Sequence, residues 1–225
     1  ISLSFNKNQN LIYDHLIISD GVFSKGKSLI SNNQINPKYN DTLAIRGIIS
    51  KCTENIDNKN ISLFLGSDFH YVIYPVNSNR DLNFIAIMKY HLSKEEQKNY
   101  SLSSNSFFIK KVLEKFPLEN KEILNNLKER KIFPVFISNN FYETQNENIH
   151  LIGDAFFAFP PSFAQGASQS IEGAYELFKS IERNKENYYF KTRVNKTKMV
   201  NIRSRINQFA FHLSNPLTKF FRNII

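Results

Sequence analysis

The chain has 225 residues, 41% of them hydrophobic, enough to bury one good core or one domain with part of another, which excludes a disordered resting state. Its net charge of +9 is spread along a Lys-, Asn- and Ile-rich sequence with no recognition motif beside it, so a nucleic-acid role is not expected and an anionic cofactor or substrate fits better. The one cysteine, Cys52, excludes an internal disulfide and a thiolate metal cluster, and no apolar run approaches the ~20 residues of a membrane-spanning helix or is laid out as a signal peptide.

The reading is a soluble, cytoplasmic protein without a metal site. It opens on Ile1 rather than Met and runs directly into a strand, so an N-terminal portion is expected to be missing. Leu11 to Ile18 reads as a strand ending in the turn Ser19-Asp20-Gly21. Leu43 to Ile49, Ile61 to Leu65, His70 to Val76 and Leu82 to Met88 are short β-rich runs separated by Asn, Asp, Gly or Ser, with Ser78 to Asp81 as a hairpin turn, and they predict an antiparallel sheet. Phe108, Val112 and Phe116 stand at helical spacing, and Ile123 with Leu127 predicts a second short helix before Pro134. Asn148 to Ile152 is a strand again, followed by a Pro-containing loop. The next helix presents Ile171, Ala174, Tyr175, Phe178 and Ile181; the last long one presents Met199, Ile202, Ile206, Phe209 and Leu213 and is closed by Pro216.

The stretch from Ile149 to Ala174 carries the most chemistry. A strand delivers Gly153 and Asp154 into a loop that closes at Gln165, Gly166 and Ala167 on the first turn of a helix. Asp154 can accept hydrogen bonds from a sugar-like chain, the unpaired N–H groups of a helix start favour negative charge, and Gly166 lets a flat ring approach the backbone. A Gly-Asp pair after a strand is also a common turn, so these residues alone leave a solvent-facing Asp154 open.

The whole string resembles the second flavin-binding motif of the class A flavoprotein monooxygenases, a Gly-Asp-Ala-Ala-His-Pro run followed by Pro, Gln-Gly-Ala and a helix, with Gly153, Asp154, Ala155, Pro161, Gln165, Gly166 and Ala167 in register. Asp14 to Lys27 resembles the family's Asp-Gly motif, retaining Asp20, Gly21, Val22 and Ser24. Leu43 to Gly47, with Arg46, and Phe64 to Gly66 followed by His70 to Pro75 resemble strands of the salicylate-hydroxylase-like branch; Arg193, Arg203 and Ser204 through His212 resemble its closing helix. The resemblance implies an α/β fold in which an incomplete FAD-binding, Rossmann-like domain is joined to an antiparallel substrate sheet and C-terminal helices. It implies boundaries at 1–37, 38–135 and 136–225, the outer two segments forming the FAD-binding part.

It further implies FAD as cofactor, NAD(P)H as co-substrate, and a small aromatic substrate hydroxylated with O2. Asp20, Gly21, Gly153, Asp154, Pro161, Gln165, Gly166 and Ala167 would bind the cofactor, Asp154 at the ribityl chain. Arg46, His70, Tyr74 and Pro161 would face the substrate, with His70 and Tyr74 catalytic. Residues four apart in a strand share a face ~13 Å apart, so His70 and Tyr74 would bracket one ring, and an imidazole of ordinary pKa suits removal of a phenolic proton. A homodimer is compatible with the reading.

Four positions depart from the pattern. Phe157 stands for His and Ala158 for Pro, which predicts a repacked loop over the flavin; Gly173 stands for Asp inside a helix at a cost of ~1 kcal/mol; and Lys27 stands for Arg. The Gly-x-Gly-x-x-Gly turn of the family's first βαβ unit is not in the sequence, and only Ile1 to Ser19 precede Asp20. This stretch alone is therefore expected to bind FAD poorly. A flavin-free ligand-binding or protein-interaction module is the alternative, and a quinone-precursor hydroxylase is the variant within the family.

Overall fold

The computed structural model describes residues 1–5, 9–32, 35–50, 59–78, 81–117 and 121–224; Cys52 and the Asn79–Arg80 half of the expected hairpin turn lie outside the described residues. In chain order the strands are β1 (Ser2–Phe5), β2 (Gln9–Ile12), β3 (Leu16–Ile18), β4 (Lys38–Ile49), β5 (Ser62–Gly66), β6 (Phe69–Val76), β7 (Asp81–Lys89), β8 (Leu127–Ile137) and β9 (Ile149–Leu151). The helices are α1 (Lys25–Ile30), α2 (Lys94–Lys98), α3 (Ser106–Lys115), α4 (Lys121–Asn125), α5 (Gly153–Phe157), α6 (Gly166–Glu182), α7 (Glu186–Phe211) and α8 (Pro216–Ile224). This is the mixed α/β chain with an antiparallel sheet and C-terminal helices expected from the sequence. Among the described residues no helix is long and apolar enough to cross a membrane.

The chain divides into two compact units, Ile1–Lys38 with Phe136–Ile206, and Tyr39–Val135 with Asn207–Ile225. The end of the chain, from Asn207, thus groups with the sheet. In the first unit β3 and β9 pair in parallel, Ile17 opposite His150. Their core is Ile18, Leu151, Ala155, Phe156 and Phe157. Each large side chain withdrawn from water there contributes about 1.5–3 kcal/mol.

The second unit is a five-stranded sheet in the order β5-β6-β7-β4-β8. Alternation assigns its faces. Leu43, Ile45 and Ile49 of β4, Leu82, Phe84 and Ala86 of β7, and Tyr71 and Ile73 of β6 lie on one buried face, where Phe116 at the end of α3 packs edge-on against Phe69, Tyr71 and Phe84. Gly47 belongs to this face beside β8: a Cβ there would stand 2.6 Å from Leu127 Cγ and 2.8 Å from the Lys128 carbonyl oxygen. Gly47→Ala should therefore push β4 and β8 apart and destabilise by about 1–3 kcal/mol. A lower urea midpoint with unchanged β-sheet circular dichroism is the expected result, and an unchanged midpoint would show that β8 yields freely.

Two expectations fail for physical reasons, and the faces of the last two long helices are a further finding. Leu127 opens β8 instead of lying on a helix, and Pro134 sits inside that strand; β8 is the last strand of the sheet order, an edge where the missing N–H is tolerated. Pro216 starts α8 rather than only ending the preceding helix, its fixed φ suiting the first helical position, with Asn215 Oδ1 accepting from Leu217 N–H at 2.9 Å. The apolar stripes of the last two long helices are largely solvent-facing: Ile171, Tyr175 and Phe178 on α6, and Met199, Ile202, Ile206 and Phe209 on α7, are exposed. The inward positions are Gly173 and Leu177 on α6 and Tyr189, Arg193, Thr197 and Ser204 on α7.

Candidate functional site

In the first unit, a buried lysine lies in the electrostatic field of two acids far apart in sequence. Ser24 caps α1, its Oγ accepting from Lys27 N–H at 2.8 Å, and the Gly26 N–H donates to Asp20 Oδ2 at 3.0 Å. Gly21, at φ +85°, makes the turn from β3 into this helix. Burial alone would raise the Asp20 pKa, but hydrogen bonds from Gly26 and Ser24 outweigh it and hold it below the usual value. The Lys27 side chain is 3% exposed; desolvation lowers its pKa, opposed by the charges of Asp20 and Asp154. Asp154 stays accessible to solvent, while neighbouring atoms exclude enough water to raise its pKa against the opposing charge of Lys27.

Asp154 lies in the first turn of α5, which follows β9 through Gly153 at φ +59°. Phe156 and Phe157 of the same turn are buried, and Phe157 stacks on Phe141 at 4.2 Å, so the Phe157 substitution fills the core under the loop rather than covering its outer side. Pro161 begins a 3₁₀ turn that ends at Ala164 with φ 52°, and Gln165 then starts α6 without a side-chain cap. Gly166 and Ala167 are exposed, and the space where a Gly166 side chain would stand is open. These features fit a flavin: a carboxylate for ribityl hydroxyls, an uncapped helix start for an electron-rich ring edge, and no side chain in the way of a flat ring.

In the second unit, register brings Arg46, His70 and Tyr74 to one sheet face. Ala44 pairs with Ile87 and Ile87 with His70; Arg46 with Ile85 and Ile85 with Val72; Ile48 with Asn83 and Asn83 with Tyr74. Strand spacing then sets the three backbone positions roughly 12–13 Å apart, a triangle about Val72 and Ile85. His70 is 4% exposed, its Nδ1 2.9 Å from His212 Nε2 and its ring edge-on to Phe211. Burial first, and His212 second, lower its pKa to about 3, so the ordinary imidazole expected from the sequence is not what the fold provides.

Asn83 was not among the sequence-predicted residues. Its Nδ2 is buried without a hydrogen-bond partner among the described residues, directly across from Tyr74. The signal was a lone amide inside an otherwise apolar strand, at the parity of this face. A cavity of about 580 Å³ opens elsewhere, among Ser104, Lys110, Leu113, Leu124 and Arg130, and none of the sequence-predicted residues lines it. Among the described residues no group of three or more His, Cys, Asp and Glu side chains could hold a metal ion.

No protein-family model matches the sequence and no curated protein matches it. Solved structures do. An HpxO variant from Klebsiella pneumoniae complexed with FAD superposes with a TM-score of 0.76 over 99% of this chain and 59% of its own, at 13% identity. A salicylate hydroxylase substrate complex gives 0.74 over 99% and 62%, at 18% identity, and 2,6-dihydroxypyridine-3-hydroxylase from Arthrobacter nicotinovorans gives 0.75 over 96% and 63%, at 14% identity. The chain has the fold of these proteins and spans about three fifths of their length.

Proposed function

We propose that this chain carries the flavin-ring loop and the substrate sheet of an FAD-dependent monooxygenase that hydroxylates a small aromatic acid or related ring with NAD(P)H and O2. The burial of Lys27 in the field of the exposed Asp20 and Asp154, beside the open, uncapped start of α6, is the observation that carries the reading. A lysine desolvated in the field of two solvent-facing acids is a costly arrangement for a surface turn and a useful one for a hydroxylated, anionic cofactor.

FAD, when bound, supplies electron transfer from NAD(P)H to O2 and the activated oxygen. The chain supplies placement. Asp154 accepts hydrogen bonds from the ribityl hydroxyls. The N–H groups of Gly166 and Ala167 stabilise negative charge on the pyrimidine edge, and Asp20 with Gly21 serves flavin and pyridine nucleotide. Arg46 pairs a substrate carboxylate through its fork, Asn83 donates to a ring oxygen, and Tyr74 and His70 orient the ring and take its proton. The names of two of the similar structures, hydroxylases of salicylate and of a dihydroxypyridine, favour a small ring of this kind.

Titration with FAD and with riboflavin, followed by fluorescence quenching, tests the loop. Loss of hydrogen bonds to a charged acceptor should weaken flavin binding by roughly 10- to 100-fold in Asp154→Ala. Full flavin affinity in that variant would overturn the assignment of the loop. A flavin-free module that docks a partner is the second reading, favoured by the exposed Tyr175, Phe178, Ile202 and Ile206; a wild-type protein that fails to quench riboflavin, whose ring and ribityl chain carry no ADP half to be gripped, would select it.

A further inference from the structure

The face of the sheet opposite Arg46, His70 and Tyr74 borders a feature that the hydroxylase chemistry leaves unused. Phe116 packs there against Tyr71 and Phe84, and beside it opens the cavity of about 580 Å³. That volume lies within the usual span of small-molecule sites. One side of the cavity is a single face of α3, because Ser106, Ile109, Lys110, Leu113 and Glu114 follow at the three- and four-residue spacing that keeps helical side chains together. The other face of α3 is taken: Phe108 and Val112 are buried, and Phe108 stands edge-on to Tyr90. Leu124 and Asn125 of α4 and Arg130 of β8 also line the space.

The lining is amphipathic. Phe116 and Leu124 are buried and Ile109 and Leu113 half-buried, so the apolar floor continues the core and is already fixed by folding. Charge decides what the floor can take. Lys110 and Glu114 form a loose, exposed pair at 4.0 Å and offset each other. Arg130 lines the same cavity, and among the described residues no carboxylate pairs with it. A guanidinium with its fork free matches a carboxylate in shape and charge.

We propose that this cavity binds an amphipathic monocarboxylate, its carboxylate paired with Arg130 and its apolar chain laid against Ile109, Leu113, Phe116 and Leu124. The α3 face sets the length: from Ser106 to Glu114 it runs roughly 12 Å, the extent of an extended chain of about eight carbons. The net charge of +9 favours the approach of an anion, and Glu114 repels a second carboxylate, so a monoacid is preferred to a diacid. The site is independent of the monooxygenase reading, since it borders the other face of the sheet and takes no part of the flavin. Its occupant rests on Phe116, whose ring meets Tyr71 and Phe84, the chain neighbours of His70 and Asn83.

Calorimetric titration with octanoate should give saturable binding with a Kd of about 100 µM, and octan-1-ol, of equal length without the charge, should bind roughly ten-fold or more weakly. Arg130→Glu should lose roughly ten-fold or more, while Arg130→Lys, which keeps the charge without the fork, should stay within about five-fold of wild type. Arg130 is exposed, so neither change threatens the fold. Leu113→Trp should fill the cavity and abolish binding, and amide shifts on adding octanoate to the wild type should fall between Ser104 and Arg130. No saturable binding of octanoate would overturn the proposal and leave the groove to a partner protein. So would octan-1-ol binding as tightly as octanoate, unchanged affinity in Arg130→Glu, or shifts gathered on the exposed stripes of α6 and α7. None of these results bears on the flavin titration, so the two readings fail separately.

Discussion

Lowering the pH from 7 to 5 should destabilise this protein, with a slope approaching about 1.4 kcal/mol per pH unit for each buried histidine that stays neutral in the fold. His70 and His212 carry the effect, because their folded pKa values, about 3 and about 4, lie below the 6.5 of the unfolded chain. Between those values the unfolded chain binds more protons than the folded one. Their contribution is therefore complete above pH 6.5 and is lost as pH falls towards 4 and then 3. The two rings share a hydrogen bond and titrate as a pair, so the profile belongs to both. Asp20 and Glu172, both held below their usual values, add to acid loss only near and below their unfolded values of 3.8 and 4.5. Asp154, raised by desolvation, works the other way in the same low range. The window from 6.5 to 5 thus isolates the histidines. Urea midpoints at half-unit steps should fall steadily through it in the wild type, less steeply in His212→Gln, and hardly at all when His70→Gln is added. A wild-type midpoint that stayed constant from pH 7 to 5 would mean that the folded rings protonate freely.

The same pair shows where a sequence stops being readable. The loop from Gly153 to Ala167 was legible because its chemistry is local: the turn, the acid and the helix start follow one another along the chain. Strands β4 to β7 were legible from alternation and turn residues, and that alternation put His70 and Tyr74 on one face. It could not say that Arg46 and Asn83 share the face, since register is fixed by pairing with β7. Nor could it see His212, 142 positions from His70, whose arrival turns an ordinary imidazole into a buried, neutral one. Helical periodicity identified α6 and α7 as helices but does not say which face turns inward. It finds the apolar stripe of a helix, and here polar side chains, Arg193, Thr197 and Ser204, take the inward positions of α7.

Replacing Arg193 by Met should cost about 2–3 kcal/mol, below the full penalty for breaking a buried ion pair because part of the network is solvated. The guanidinium is 3% exposed and uses its fork fully. Nη1 reaches Glu176 at 3.1 Å and Glu172 at 3.4 Å; Nη2 donates to the Gln169 carbonyl and to Gln169 Oε1, each at 3.0 Å. Lys196 also binds both glutamates, which limits the loss. Gly173 makes the arrangement possible. A Cβ at that position would stand 3.3 Å from Arg193 Nε, so the glycine that the sequence marks as a helix defect leaves the room in which the guanidinium packs. Gln169 lies in the first turn of α6, three residues beyond Gly166, so Arg193 also holds the helix start proposed to face the flavin. Arg193→Lys should recover less than half of the loss, since an ammonium cannot fork across a carboxylate and a carbonyl. Urea midpoints of the two variants measure this directly. Arg193→Met at or above wild-type stability would show that the ion network is dispensable to the fold, and flavin affinity in the same variant would then show whether the clamp on Gln169 serves the helix start instead.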